Sequence, residues 1–176
     1  MRSDLATDAG MLCVWDFQAF RDISDYDSWD AQLGEDEGIL RHISAGNLVP
    51  LSLGDGAFAV EVRLGSPESM SAREREYLQV PSRPYFLRTA GRVVISGVEH
   101  VGGDPRSPMD LQLEPGDYTI LIGLIDWAEE PGAKDAEGNP SPDALPDMIV
   151  FIQATGSNRP EFRQEIETFR REDALR

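Results

Sequence analysis

The chain has 176 residues, 40% of them apolar, and a formal net charge of −16. That length buries a sizeable core without staples, and alternating Val, Ile, Leu and Phe runs offset the ordering entropy, so disorder of the whole chain is excluded. The acidic excess also disfavours direct nucleic-acid binding, because phosphates are repelled and no arginine stripe gathers to hold them.

The charge is segregated. Residues 1–47 hold ten acids and three bases, residues 104–150 hold eleven acids and two bases, and the segments 48–103 and 151–176 are neutral. A segregated field recruits one kind of partner, whereas the same charge spread evenly serves mainly solubility. Cys13 is the only cysteine and sits among Leu12, Val14 and Trp15, which reads as a small buried apolar residue in a reducing compartment. The apolar run Met11 to Trp15 is too short for a secretory leader, and Tyr118 to Ile125 falls far short of the roughly 20 residues of a membrane span. The expectation is one cytoplasmic domain over 1–176 with no membrane contact and no cofactor.

In chain order, residues 1–10 read as a mobile tail and Met11 to Phe20 as a first strand. Ser24 to Gly46 reads as helix and turn, with Ser24 or Asp25 capping the first turn and Gly34 ending it. A second helix from Asp36 to Ala45 places Ile39, Leu40 and Ile43 on one face and stops at Gly46-Asn47. From Leu48 the period becomes two. Leu48 to Leu53 and Ala57 to Leu64 flank Gly54-Asp55-Gly56, a hairpin signal, with Phe58, Val60, Val62 and Leu64 on one face. Ser66 to Glu76 is a polar connection with one helical turn, followed by a strand from Tyr85 to Ala90 that Gly91 turns into a second hairpin with Val93 to Ser96. Val98 to Pro108 reads as loop.

Leu113-Glu114-Pro115-Gly116-Asp117-Tyr118 has the form of a tyrosine corner, in which a hydroxyl bonds the backbone where a sandwich strand begins. Ile120, Ile122 and Leu124 alternate with Leu121, Gly123 and Ile125, so both faces of that strand are apolar and it belongs in the middle of a sheet. Residues 128–146, rich in proline and acid, read as a long exposed acidic loop. Met148 to Ala154 is a strand. Arg159 to Arg171 reads as an amphipathic helix with Phe162, Ile166 and Phe169 as its stripe. The fold expected is a β-rich α+β fold: an antiparallel β-sandwich-like core with an N-terminal helical segment and a C-terminal amphipathic helix.

The familiar catalytic kits are missing. No G-x-S-x-G elbow occurs, the glycines between Gly97 and Gly103 lack the lysine of a phosphate cradle, and one cysteine with two distant histidines makes no zinc site. The acids at Asp25 and Asp135 open no calcium loop, since glycine is absent where the turn requires it. His42 reads as structural. His100, beside Glu99 in the Gly97 to Asp104 loop, is the better catalytic setting, and an enzyme or small-ligand site there is the alternative reading.

What remains is charge interleaved with aromatics. Trp15, Tyr26, Trp29 and Trp127 lie within or beside the acidic blocks, and interfaces use large aromatics as anchors while carboxylates steer a basic partner. The candidate partner-binding residues are Asp25, Asp27, Trp29, Asp30, Glu35, Asp36 and Glu37 in the first block. In the second they are Trp127, Glu129, Glu130, Asp135 and Glu137. If the two blocks meet on folding, they form a single electronegative patch.

In its size, acidity, lone cysteine and strand pattern over roughly residues 48–154, the chain resembles bacterial immunity proteins of polymorphic toxin systems and β-rich nuclease inhibitors of the competence kind. The resemblance implies a cytoplasmic antidote, not an enzyme, that covers the positive active site of a cognate toxin, possibly a nuclease. It carries over no individual residue.

Overall fold

Alternation along the chain builds two sheets, seen in a computed structural model that describes residues 1–103, 109–157 and 159–168. The strands are β1 (Arg2–Thr7), β2 (Met11–Asp16), β3 (Leu48–Ser52), β4 (Gly56–Leu64), β5 (Leu78–Pro81), β6 (Tyr85–Thr89), β7 (Arg92–Gly97), β8 (Met109–Gln112), β9 (Gly116–Ile125) and β10 (Met148–Ala154). Helices α1 (Tyr26–Leu33), α2 (Asp36–Ala45) and α3 (Ala72–Glu76) interrupt them. The larger sheet has the order β1-β4-β10-β9-β5, with β6 also on β9, and the smaller is β3-β2-β7-β8. Pairing is antiparallel except between β4 and β10, which run parallel. The chain is therefore a β-rich α+β protein with two sheets packed together.

Side chains on a strand alternate between faces, and β9 and β10 show what each face meets. Ile120, Ile122, Met148, Val150 and Ile152 join the main core, together with Leu33, Ile39 and Ile43 of the helices and Trp15 and Val94 of the smaller sheet. Ile125, Ile149 and Phe151 point the other way, into a second cluster with Met70, Trp127, Ala133, Ala144 and Leu145. Helices α1 and α2 thus lie on one side of the larger sheet, and residues 127–145 on the other with α3, whose Arg73 bonds Glu130. Among the described residues no helix is long and apolar enough to cross a membrane.

Local signals hold where the physics is local. Asp25 caps α1 by accepting from the Ser28 amide at 2.9 Å, and α2 stops at Gly46 with φ 74°, a conformation that costs glycine nothing. The Tyr118 hydroxyl donates to the Glu114 carbonyl at 2.8 Å, the expected corner.

Five expectations need correction. Residues 2–7 are not a tail but an edge strand paired with β4, because Leu5 and Thr7 alternate inward among polar neighbours. Gly54-Asp55-Gly56 closes no hairpin: β3 pairs with β2 in the smaller sheet and β4 with β1 and β10 in the larger. Gly91 likewise carries the chain from β6 in the larger sheet to β7 in the smaller. A positive-φ glycine fixes a bend, but it does not choose which edge the next strand finds. The loop 128–146 is only partly exposed, since Ala133, Ala144 and Leu145 bury themselves against the outer face of the larger sheet.

The fifth correction is the C-terminal helix. Residues 159–168 form no helix, while Asn158 and residues 169–171 lie outside the described residues. Thr168 bridges Ser52 in parallel, the Ser52 amide donates to the Glu167 carbonyl, and the Tyr85 hydroxyl donates to the Glu165 carbonyl at 2.7 Å. The strap meets backbone groups on the open side of β3, which an isolated helix would leave unpaired. Phe162 and Ile166 still bury their side chains partly, one against the ring of Phe86.

Candidate functional site

The first acidic block becomes the exposed face of the helical layer. Seven carboxylates, Asp22, Asp25, Asp27, Asp30, Glu35, Asp36 and Glu37, fall in sixteen residues without a base between them, and all seven are exposed. Among the described residues the ion pair made by this group is Asp22 with its neighbour Arg21, at 3.6 Å. Asp25 accepts from both the hydroxyl and the amide of Ser28, which holds its carboxyl below the ordinary aspartate range and keeps it charged. Tyr26 stands out from this face, 72% exposed, and stacks on Trp29 with ring centroids 6.1 Å apart. Trp29 is half-buried, with its indole nitrogen donating to the Val98 carbonyl at 2.9 Å.

Beside these rings a cleft of about 540 Å³ opens between the entry to α1 and the turn after Val98. Its walls are Ile23, Trp29 and Val101, with Tyr26, Asp25 and Glu99 around them. Glu99 is held in place, one oxygen accepting from the Thr7 hydroxyl at 3.1 Å and the other from the Asp8 amide at 3.0 Å. Two glycines make the shape. At Gly97 a Cβ would fall 2.4 Å from the Glu99 carboxylate, and at Gly102, whose φ is 80°, it would fall 2.5 Å from Ile23. Sequence reasoning named Trp29 and Asp25 as partner-binding residues but did not join Glu99 to them. The cluster of glycines from Gly97 to Gly103 was the available signal.

The second block is dispersed, and ion pairs neutralise three of its ten described carboxylates. Asp110 pairs with Arg92 at 2.5 Å, and Asp117 pairs with Arg88 at 2.9 Å and Arg159 at 2.5 Å. Glu130 pairs with Arg73. Asp135 folds its own turn by accepting from the amides of Glu137 and Asn139. Trp127, expected as an anchor, is instead buried in the outer cluster, where its indole nitrogen donates to Asp147 at 2.9 Å. Glu129 and Glu137 are exposed on the same side. No hydrogen bond or ion pair between described residues joins residues 17–47 to residues 127–147, and the larger sheet stands between them. Asp25, Asp27, Trp29, Asp30, Glu35, Asp36 and Glu37 are brought together. Trp127, Glu129, Glu130, Asp135 and Glu137 form a separate group.

The remaining chemistry-bearing residues have structural surroundings. Cys13 is fully buried, and its thiol is pushed well above the ordinary range by desolvation. Burial lowers the pKa of His42, which packs against Phe20. His100 is exposed, with Nε2 3.9 Å from Glu99. Among the described residues no group of three or more His, Cys, Asp or Glu is placed to hold a metal ion.

A family model described as a family of unknown function (DUF6386) matches residues 2–124. No curated protein matches the chain. Among solved structures, one described as crocagin biosynthetic gene J aligns with a TM-score of 0.53 at 20% identity, over 89% of this chain and 96% of that one. That likeness supports the fold. A second, ComJ, inhibitor of the DNA degrading activity of NucA, from Bacillus subtilis, aligns with a TM-score of 0.48 at 13% identity, over 88% and 96% of the two chains.

Proposed function

We propose, from the premise that the chain belongs to the DUF6386 family of unknown function, that it is a binding protein whose α1–α2 face docks on a basic protein. The observation that carries this reading is the run of seven exposed carboxylates with no base among them, beside an exposed tyrosine stacked on a half-buried tryptophan. Like charges held this close repel one another, so a field of this kind stores a cost that a cationic partner relieves. Carboxylates on two capped helices have also lost much of their freedom on folding, which lowers the cost of association. Exposed Tyr and half-buried Trp supply the anchor that charge alone lacks.

The finer reading is an antidote for a toxin, with a nuclease as the best-matched class. A nuclease must display cations to hold phosphates, and a rigid set of carboxylates occupies the same cations. The test immobilises the protein and challenges it with its native cell lysate and with the purified product of any neighbouring toxin gene. Capture that falls with added salt and with Asp27→Arg, Asp30→Arg and Glu37→Arg, together with loss of the partner's DNA degradation on binding, supports the reading. Capture indifferent to those charges contradicts it. Turnover abolished by His100→Ala with folding unchanged would favour the alternative, catalysis at the 97–104 loop.

A further inference from the structure

We infer that the cleft beside Tyr26 and Trp29 is a receptor for one guanidinium side chain, an arginine of the basic partner. This rests on the reading above and names what its central contact recognises.

The chain shows how it treats its own arginines. Arg92 lies over the Phe17 ring, 4.1 Å from its centroid, and pairs with Asp110. Arg88 and Arg159 lie 5.4 and 5.6 Å from the Phe86 centroid, and both pair with Asp117. Each site combines an aromatic face with a carboxylate beside it. That is the arrangement in which a planar guanidinium both stacks and pairs.

The cleft has the same ingredients, with no arginine over its rings among the described residues. Tyr26 and Trp29 offer stacked rings, and Asp25 and Glu99 supply carboxylates from two separate elements. Ile23 and Val101 give an apolar wall for the aliphatic stem of a long cationic side chain. The Ser28 and Val98 bonds hold Asp25 and Trp29, and the Thr7 and Asp8 bonds hold Glu99, so little ordering remains to be paid on entry. About 540 Å³ exceeds what one side chain fills, which leaves space for the backbone that carries it. An anion is disfavoured by both carboxylates, and a purely apolar ligand would leave them desolvated.

The experiment titrates the full chain with N-acetyl-arginine methylamide, using the neutral citrulline counterpart as control. Trp29 fluorescence is the readout, since Trp15 and Trp127 are buried, and Trp29→Phe assigns the signal. The expected result is saturable binding of the arginine probe that the citrulline probe fails to reproduce by at least about tenfold. Tyr26→Ala should weaken it about fivefold or more, and Asp25→Asn, which preserves the helix cap, about threefold. Circular dichroism checks that both variants fold. Equal binding of the two probes, or binding unmoved by Tyr26→Ala and Asp25→Asn, overturns the inference. The two readings fail separately. Absent probe binding with salt-sensitive partner capture sinks the cleft and spares the partner reading, whereas probe binding with charge-indifferent capture does the reverse.

Discussion

The helical face and the outer loop are both acidic in sequence, yet they carry different charge in space. Residues 22–37 keep seven exposed carboxylates with one flanking ion pair. In residues 109–147, Arg92, Arg88, Arg159 and Arg73 arrive from distant positions and neutralise Asp110, Asp117 and Glu130. Two further carboxylates there, Asp135 and Asp147, hold turns and backbone together. Formal charge counts what the chain carries. Surface field depends on what folding brings beside it.

That contrast breaks most sharply on stability. Asp147 accepts from the Trp127 indole at 2.9 Å and the Ala59 amide at 2.7 Å, so Asp147→Ala strands two donors beneath the outer loop. It should cost about 3 kcal/mol in urea unfolding, while Asp27→Ala on the open face should stay within about 0.5 kcal/mol. The reverse ordering is expected for binding. Reversing Asp27, Asp30 and Glu37 together should weaken partner capture about a hundredfold, and reversing Glu129, Glu137 and Asp143 less than about threefold.

Acid sharpens the comparison further. Glu74 is buried against the Arg63 guanidinium, which holds its carboxyl at about 2 against an ordinary 4.5. A carboxyl depressed on folding contributes stability that is whole above its unfolded value and is lost as pH falls through the folded one. Stability should therefore drop between pH 4.5 and about 2, and Glu74→Gln should flatten that slope at a cost of about 2 kcal/mol at neutral pH. A smaller loss than at Glu74 is expected at the corner, where Tyr118→Phe removes one hydroxyl bond and should cost about 1 kcal/mol, leaving capture untouched.

These differences track what a sequence can express. The caps at Asp25, Gly34 and Gly46 act within one helical turn, and the two-faced pattern of β9 and β10 is set by side-chain alternation, so both were legible. The pairing of β3 with β2 rather than β4 was not, because glycine turn chemistry at Gly54 and Gly56 serves a crossing between sheets as well as a hairpin. The spacing of Phe162 and Ile166 fits a helix, but the same side chains pack from a non-helical strap once the open side of β3 is available. At the site, the carboxylates and Trp29 were visible in the chain, and the cleft was not. Glu99 reaches it from seventy residues beyond Trp29, and Arg73 lies 57 residues from the Glu130 that it neutralises.

The most direct test of an unneutralised helical face is the ionic-strength dependence of the association rate with the captured partner, followed by stopped flow. Wild type and the Glu129, Glu137 and Asp143 reversal should both slow steeply, by about tenfold or more, as salt screens the approach. The Asp27, Asp30 and Glu37 reversal should lose that dependence. An undiminished salt dependence in the helical variant, or its loss in the loop variant instead, would contradict the account.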